Sequence, residues 1–337
     1  MNFIGVILAA GKGTRIYPFS DSFPKPILPI ANKPIIQYQI ELMAKMGIKE
    51  IIIIIGHLGY EIVRKIGQGD EFGVKIKYVE QKSTLGIAHA VGSLESYIDS
   101  PFIMFLGDIY FMINSIEKLF KKMEEEKLQC VLATKVENDI DKIKRNFSVQ
   151  TDDNGFVNRV IEKPRHSSNK LKGCGIYLFD LQIFDAIRRT PRTAMRDEYE
   201  ITDAIQILID YGGRVKSLNV IEDDMNLTYP HDLIDINMAE LRRRNLDNII
   251  GENTEIHPEA QLINCVIGNG VKILNPVTIT NCVAFDNVTL DTTSDLTQSI
   301  ITTERIINYQ GEMKDDCKTI QDRAYYRRSR FYRITSC

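Results

Sequence analysis

Four ten-residue segments, DNIIGENTEI (247–256), NCVIGNGVKI (264–273), NCVAFDNVTL (281–290) and QSIITTERII (298–307), each begin 17 residues after the one before. They share two apolar columns: Ile249, Val266, Val283 and Ile300, and then Ile256, Ile273, Leu290 and Ile307. So short a fixed period leaves little choice of fold. One copy cannot bury its apolar side alone, whereas short strands stacked coil upon coil bury both columns continuously. The spacing predicts a short β-solenoid of four coils. Cys265 and Cys282 occupy one column of the repeat, so their separation has a structural cause and implies no redox pair.

Ahead of the repeat, apolar β-branched runs alternate with helical patterns. FIGVILAA reads as a strand, and PIIQYQIELMAKMG opens a helix at Pro34 that sets Ile36, Ile40, Met43 and Met46 near one face and stops at Gly47. EIIIII (50–55), a helix near 60–66, VKIKYVE (74–80), a helix from about Gly86 to Tyr97 and PFIMFLGD (101–108) continue the series. Continuous apolar strands are covered on both faces, so an α/β fold is expected: a Rossmann-like, mixed but mostly parallel sheet sandwiched by helices, with ligands at the carboxyl ends of its strands. FSVQT and FVNRVIE flank Asp153-Asn154-Gly155, a hairpin signal, and CGIYLFD adds a strand. The boundaries that follow are a first domain over 1–246, the repeat over 247–310 and a tail over 311–337.

A chain of 337 residues with 44% hydrophobic and 26% charged residues buries a real core, and a net charge of −3 gives no general pull toward nucleic acid or membranes. No apolar run approaches the roughly 20 residues of a membrane span, and MNFIGVILAAG lacks a basic lead, so a cytoplasmic protein is expected. The six cysteines show no CxxC pairing and the five histidines are scattered, which suggests neither a zinc site nor a disulfide framework.

The chemistry is concentrated in LAAGKGTRIYPFSDSFPKPILPI (8–30). A strand that ends in Gly11-Lys12-Gly13-Thr14 lets backbone N–H groups crowd around phosphate oxygens where a side chain would prevent close approach, and Arg15 adds a charged fork. A dinucleotide fingerprint lacks its third glycine here, and a Walker loop would need GK[ST] where Gly13-Thr14-Arg15 stands. Standing alone, the motif also fits a tight strand-to-helix turn with solvated cations.

Taken in order, Leu8-Ala9-Ala10-Gly11-Lys12-Gly13-Thr14-Arg15, Pro18, Pro24-Lys25-Pro26, LGIAHA (85–90), FLGD (105–108), VIEKP (160–164) and RDEYEITDAIQ (196–206) resemble the sugar-1-phosphate nucleotidyltransferases. The likeness is greatest to the long glucose-1-phosphate thymidylyl- and uridylyltransferases that end in a left-handed, hexapeptide-type β-helix, and it runs to about residue 307. The resemblance implies that a sugar 1-phosphate attacks the α-phosphorus of a nucleoside triphosphate, releasing pyrophosphate. Both reactants are polyanions, so cations and positioning carry the catalysis. The family pattern implies that Arg15 holds the triphosphate, Lys25 bridges the reacting phosphates, Lys163 binds the sugar phosphate and Arg196 adds a phosphate contact. Pro24 and Pro26 stiffen the loop around Lys25.

Asp108 is implied as a Mg²⁺ ligand, with Asn226 at the place of the usual second aspartate; Asp223 and Asp224 stand close by as alternatives. Leu8 and Ala10 would wall the base and ribose, while Gln81 and the open backbone of Gly86 would read a pyrimidine edge, implying UTP or dTTP. Glu162 would accept sugar hydroxyls and Gly173 would expose backbone to them. The family's sugar-contacting glycine is Ser148 here, and Gly173 replaces an asparagine associated with N-acetylglucosamine, which leaves glucose 1-phosphate as the first expectation.

Two other classes stand beside this reading. A non-catalytic sugar-nucleotide sensor would keep the fold without the chemistry; Arg15, Lys25, Asp108 and Lys163 argue against it and Asn226 for it. A bifunctional acyltransferase would need a longer solenoid, and His257 is the only histidine in this one. The tail AYYRRSRFYRITSC interleaves Arg327, Arg328, Arg330 and Arg333 with aromatics, which reads as a solvated or subunit-packing tail before a nucleic-acid binder. An end coil that exposes Ile300 and Ile307 would need a cover, so a homo-oligomer is expected.

Overall fold

In a computed structural model of the chain, residues 2–166, 169–194 and 196–314 are described. They form two units, one of the described residues of 2–28 and 33–228 and another that joins 29–32 to 229–314. The helix expected to close the first domain therefore groups with the repeat. The arginine- and tyrosine-rich tail lies outside the described residues, as do Cys317 and Cys337.

The first unit has strands β1 (Ile4–Ala9), β2 (Glu50–Ile55), β3 (Lys75–Glu80), β4 (Phe102–Leu106), β5 (Ile109–Ile113), β6 (Cys130–Val136), β7 (Phe147–Thr151), β8 (Val157–Glu162), β9 (Leu171–Phe179), β10 (Val215–Asn219) and β11 (Ile221–Asn226). Its helices are α1 (Ile35–Lys45), α2 (Gly59–Ile66), α3 (Ile87–Gly92), α4 (Glu117–Glu126), α5 (Ile140–Arg145), α6 (Ile183–Arg189) and α7 (Ile201–Asp210). The main sheet runs β8-β7-β9-β4-β1-β2-β3, and β6 pairs with both β9 and β10. Strands β3, β2, β1 and β4 are parallel, and β9 and β7 make the sheet mixed by pairing antiparallel. The helix expected from Gly86 to Tyr97 ends at Gly92 and gives way to turns.

The continuous apolar run of β2 is explained by alternation between two cores. Val6, Ile52, Ile54 and Met104 join α3, α6 and α7 on one face, while Ile7, Ile51, Ile53 and Phe105 join α1, α2 and α4 on the other. The chain leaves β1 toward β2 and β3, then returns to its other side as β4. The carboxyl ends of β1 and β4 are thus a topological switch point, where open α/β sheets bind ligands.

In the second unit, helix α8 (Pro230–Arg244) precedes three sheets of parallel strands whose partners lie 17 residues apart. Ile249, Val266, Val283 and Ile300 align across the first, and Ile256, Ile273 and Leu290 across the second. A third apolar column, Leu262, Ile279 and Leu296, completes the core. The fourth copy departs from the expected pattern. Ser299–Ile301 stacks in parallel, but Ile306–Asn308 turns back so that Ile307 faces Ile300 in an antiparallel pair.

The departure coincides with a break in one of the two left-handed columns of the repeat, the other of which continues through Asn264, Asn281 and Gln298. Asn253, Gly270 and Asn287 take left-handed φ values of 55°, 67° and 61°, and the fourth copy places Glu304 there, a residue that seldom adopts that conformation. The chain reverses instead through a turn in which the Thr302 hydroxyl accepts from the Arg305 N–H at 3.1 Å. Ile300 and Ile307 are fully buried within the unit, so the bare apolar end that motivated the homo-oligomer is covered by a hairpin of the same chain.

Candidate active site

The loop after β1 is shaped by two unlike glycines. Gly13 is left-handed, with φ 64°, and a Cβ on it would stand 3.1 Å from Cε and 3.2 Å from Cγ of Lys25, so the lysine stem lies against its bare face. A Cβ on Gly11, by contrast, would meet nothing within 4 Å; the protein's own packing does not require glycine there. Thr14 and Arg15 continue into a short 3-10 turn with Arg15 exposed, while Leu8 is half-buried and Ala10 buried at the end of the strand.

Lys25 begins a further 3-10 turn, Lys25–Ile27, entered from an extended Pro24 at φ −68° and ψ 140°. The lysine is 8% exposed, and its Nζ reaches Asp108 Oδ2 at 3.3 Å. Asp108 lies in the two-residue link between β4 and β5, with its side chain 44% exposed. The Gly107 N–H donates to Leu8 O at 2.9 Å, and a Cβ on Gly107 would come within 2.7 Å of that oxygen. Glycine is therefore what lets the link close onto the end of β1. Strand β11 pairs with β5 so that Asn226 faces Ile109, and the Leu227 N–H donates to Asp108 O at 3.0 Å. Asp108 and Asn226 are thus neighbours across two strands.

One carboxylate and one carboxamide oxygen are hard donors that suit a hard divalent cation, which keeps its other sites for phosphate oxygens and water. Among the described residues no three His, Cys, Asp or Glu side chains gather into a metal cage. Asp223 and Asp224 are withdrawn as alternatives. Asp223 accepts from Lys135 Nζ at 2.6 Å, and Asp224 takes Lys172 Nζ at 2.6 and 2.8 Å with neither side chain of that pair more than 2% exposed. Burial drives the Asp224 carboxyl above its ordinary range despite Lys172. For Asp223 burial pushes the same way, but the hydrogen bond and charge of Lys135 prevail and hold it low.

Glu162 ends β8 opposite Phe147, and Phe147 lies opposite Gly173. Ile176 of β9 pairs with Phe105 of β4, so three residues further along each strand bring Gly173 and Asp108 to the same end of the sheet. Here Arg196 Nη1 lies 3.4 Å from Glu162 Oε1 and 2.7 Å from Glu200 Oε1, Lys163 Nζ is 3.6 Å from Glu162 Oε1, and the Thr202 hydroxyl donates to Glu162 Oε2 at 3.3 Å. Burial and then the Glu162 charge raise the Glu200 carboxyl. Glu200 and Thr202 were not singled out in the sequence; the separation of four residues between Arg196 and Glu200 was the available signal.

Gly173 does not present open backbone. It is buried, and a Cβ there would overlap the Phe147 ring, which also stacks on Tyr177 at 5.9 Å. Gly173→Ala is expected to destabilise the chain by about 1–3 kcal/mol in denaturant unfolding, with Phe147→Leu in the same chain relieving part of that loss, because the overlap is with that one ring. Gly86 likewise serves the fold: at φ 106° it lies against the Tyr199 backbone, and the Ala88 N–H donates to Tyr199 O at 3.0 Å. Gln81 follows β3 at the same sheet end, with its Nε2 3.4 Å from Nδ1 of His89, a residue that sequence reading passed over.

The chain matches known proteins over this whole region. The profile described as Nucleotidyl transferase matches residues 4–242. The low-salt glycan biosynthesis nucleotidyltransferase Agl11 of Haloferax volcanii is 35% identical over 72% of this chain and 67% of its own length. A glucose-1-phosphate thymidylyltransferase of Streptomyces antibioticus is 33% identical over 80% of this chain and 74% of its own. A solved UDP-glucose pyrophosphorylase bound to UDP-glucose superposes with a TM-score of 0.62 at 22% identity, covering 72% of this chain and all of that one, a likeness of fold.

Proposed function

The chain belongs to the nucleotidyl transferase family, and on that premise we propose that it forms a nucleoside diphosphate sugar and pyrophosphate from a sugar 1-phosphate and UTP or dTTP, with glucose 1-phosphate the first sugar to try. The observation that carries this reading is the Lys25–Asp108 pair, 3.3 Å apart beside the glycine loop at the switch point of the sheet. Incubation with Mg²⁺, a panel of triphosphates and several sugar 1-phosphates, with pyrophosphate as the readout, tests it. No release from any pair favours the sensor reading.

The residues divide the work as follows. The bare face of Gly11 leaves room for a phosphate to approach backbone N–H groups, and Arg15, exposed next to it, holds the departing pyrophosphate oxygens. Lys25 is fixed by Pro24, by Gly13 along its stem and by Asp108 at its tip, so its ammonium meets the α-phosphoryl group with little entropy left to lose. Lys163 and Arg196 bind the sugar phosphate, and both rest on Glu162 until it arrives. A Mg²⁺ ion held by Asp108 and Asn226 would supply charge neutralisation on the reacting phosphates. Gln81 reads the base, with His89 orienting its amide. Residues 1–246 carry the reaction, and the 247–310 stack winds as a short left-handed β-helix; its three parallel sheets at a 17-residue repeat support that reading.

A carboxamide attracts a hard cation less than a carboxylate. Asn226→Asp is therefore expected to keep activity and to lower the Mg²⁺ concentration for half-maximal rate severalfold, read from a metal titration of pyrophosphate release; an unchanged requirement removes Asn226 from the metal site.

A further inference from the structure

Helix α1 buries Ile35, Ile36, Ile40 and Met43 in one stripe, and the remaining member of that stripe is Gln39, 3% exposed. Its Nε2 donates to Leu106 O at 2.9 Å and to Ile109 O at 3.1 Å. These are the last residue of β4 and the first of β5, so one carboxamide braces both ends of the Gly107-Asp108 link. Both acceptors are carbonyl oxygens, so the nitrogen must face them. The cost is visible at the other atom: Gln39 Oε1 is buried and takes no hydrogen bond from any of the described residues. A buried oxygen left without a hydrogen bond destabilises the fold. Leucine would complete the apolar stripe and avoid that penalty. The link is held from two more sides, by Leu8 O at the Gly107 N–H and by the Leu227 N–H at Asp108 O.

We infer that Gln39 is a positioning residue for nucleotidyl transfer, fixing the Gly107-Asp108 link so that the Asp108 carboxylate stands where it meets both Lys25 and the cation. The inference rests on the reading of Asp108 as a cation ligand. An unbraced two-residue link would let Oδ2 wander, and outer residues that orient a metal ligand typically matter by about 10- to 100-fold in affinity or activity.

The full chain carrying Gln39→Leu, and separately the near-isosteric Gln39→Met, tests this with Mn²⁺ as the probe. Electron paramagnetic resonance measures Mn²⁺ binding in the presence of a UTP analogue with a methylene bridge between its α- and β-phosphates. Hydrogen exchange reads the amides of residues 105–110 in the metal-free protein. The expected result is an Mn²⁺ dissociation constant raised about tenfold or more and faster exchange at 105–110, with a melting temperature equal to or above the parent's. A lowered melting temperature with Mn²⁺ affinity within twofold of the parent would make Gln39 a packing residue only and overturn the inference. Asp108→Asn separates the two readings. If it abolishes Mn²⁺ binding while the Gln39 variants keep it, only the role of Gln39 falls; if it leaves Mn²⁺ binding intact, the metal reading of Asp108 falls and takes the inference with it.

Discussion

Lys25→Met and Asp108→Asn are each expected to lower turnover by about a hundredfold or more, equivalent to about 2.7 kcal/mol of transition-state stabilisation, with unfolding almost unchanged. Methionine keeps the stem that lies along Gly13 and removes only the charge. Asp108, with 44% of its side chain exposed, remains hydrated when Lys25 is replaced, and in Asp108→Asn the carboxamide oxygen can still accept from the buried Lys25 ammonium, so in both variants the effect on stability is small beside that on turnover. Single-turnover pyrophosphate release and denaturant unfolding of the same preparations separate the two effects. Near-parental turnover in both variants would remove this pair from the chemistry.

The second large effect is in folding. Lys172 and Asp224 are buried against each other, and removing Lys172 leaves the Asp224 carboxylate with only the more distant Lys135 ammonium at 3.8 Å, at a cost of up to about 3–5 kcal/mol. Lys172→Met is expected to show that loss near neutral pH. The sign with pH follows from Asp224, whose carboxyl is already raised by burial with Lys172 present and rises further without it. A carboxyl with its folded pKa above its unfolded value makes the fold lose stability as pH climbs through that interval and regain it as pH falls. Lys172→Met should therefore recover part of its deficit between pH 7 and pH 5 relative to the parent, measured by urea unfolding at each pH. A deficit that is flat or grows on acidification would mean that Asp224 is not the source.

Much of this was legible in the sequence, for identifiable reasons. The run EIIIII announced burial on both faces, and Gly107-Asp108 at a strand end with Lys25 between prolines announced a cation and a carboxylate at one sheet end. What escaped depends on register between distant strands. That Phe147 lies over Gly173 follows only once β7 and β9 pair, and that Lys172 meets Asp224 only once positions 52 apart in the chain are brought together. Gln39 was hidden differently: the apolar face was read from Ile36, Ile40, Met43 and Met46, and a glutamine within it carries no signal until β4 and β5 are placed beside the helix. In the repeat, the apolar columns were followed and the left-handed column was not, so Glu304 went unread. The helix 230–244 was assigned to the first domain by chain order, whereas its fully buried Asn237 takes the Ala31 N–H at 2.7 Å and so ties residues 29–32 to the second unit.

That same column sets the height of the stack. Layers of equal thickness laid on one another amount to a crystal one molecule wide, and such a crystal grows for as long as each face offers the next a matching lattice. A folded-back strand pair is a dislocation: Ser299–Ile301 accepts the lattice, and Ile306–Asn308 refuses to pass it on. Two left-handed residues recur per layer, Asn264, Asn281 and Gln298 in one column and Asn253, Gly270 and Asn287 in the other, and it is the second of these columns that stops where the strand turns back; the hydrophobic columns alone would not reveal that place. Among the described residues the turn-back closes the first sheet alone, while the second and third sheets end on the parallel strands Thr289–Leu290 and Leu296–Thr297.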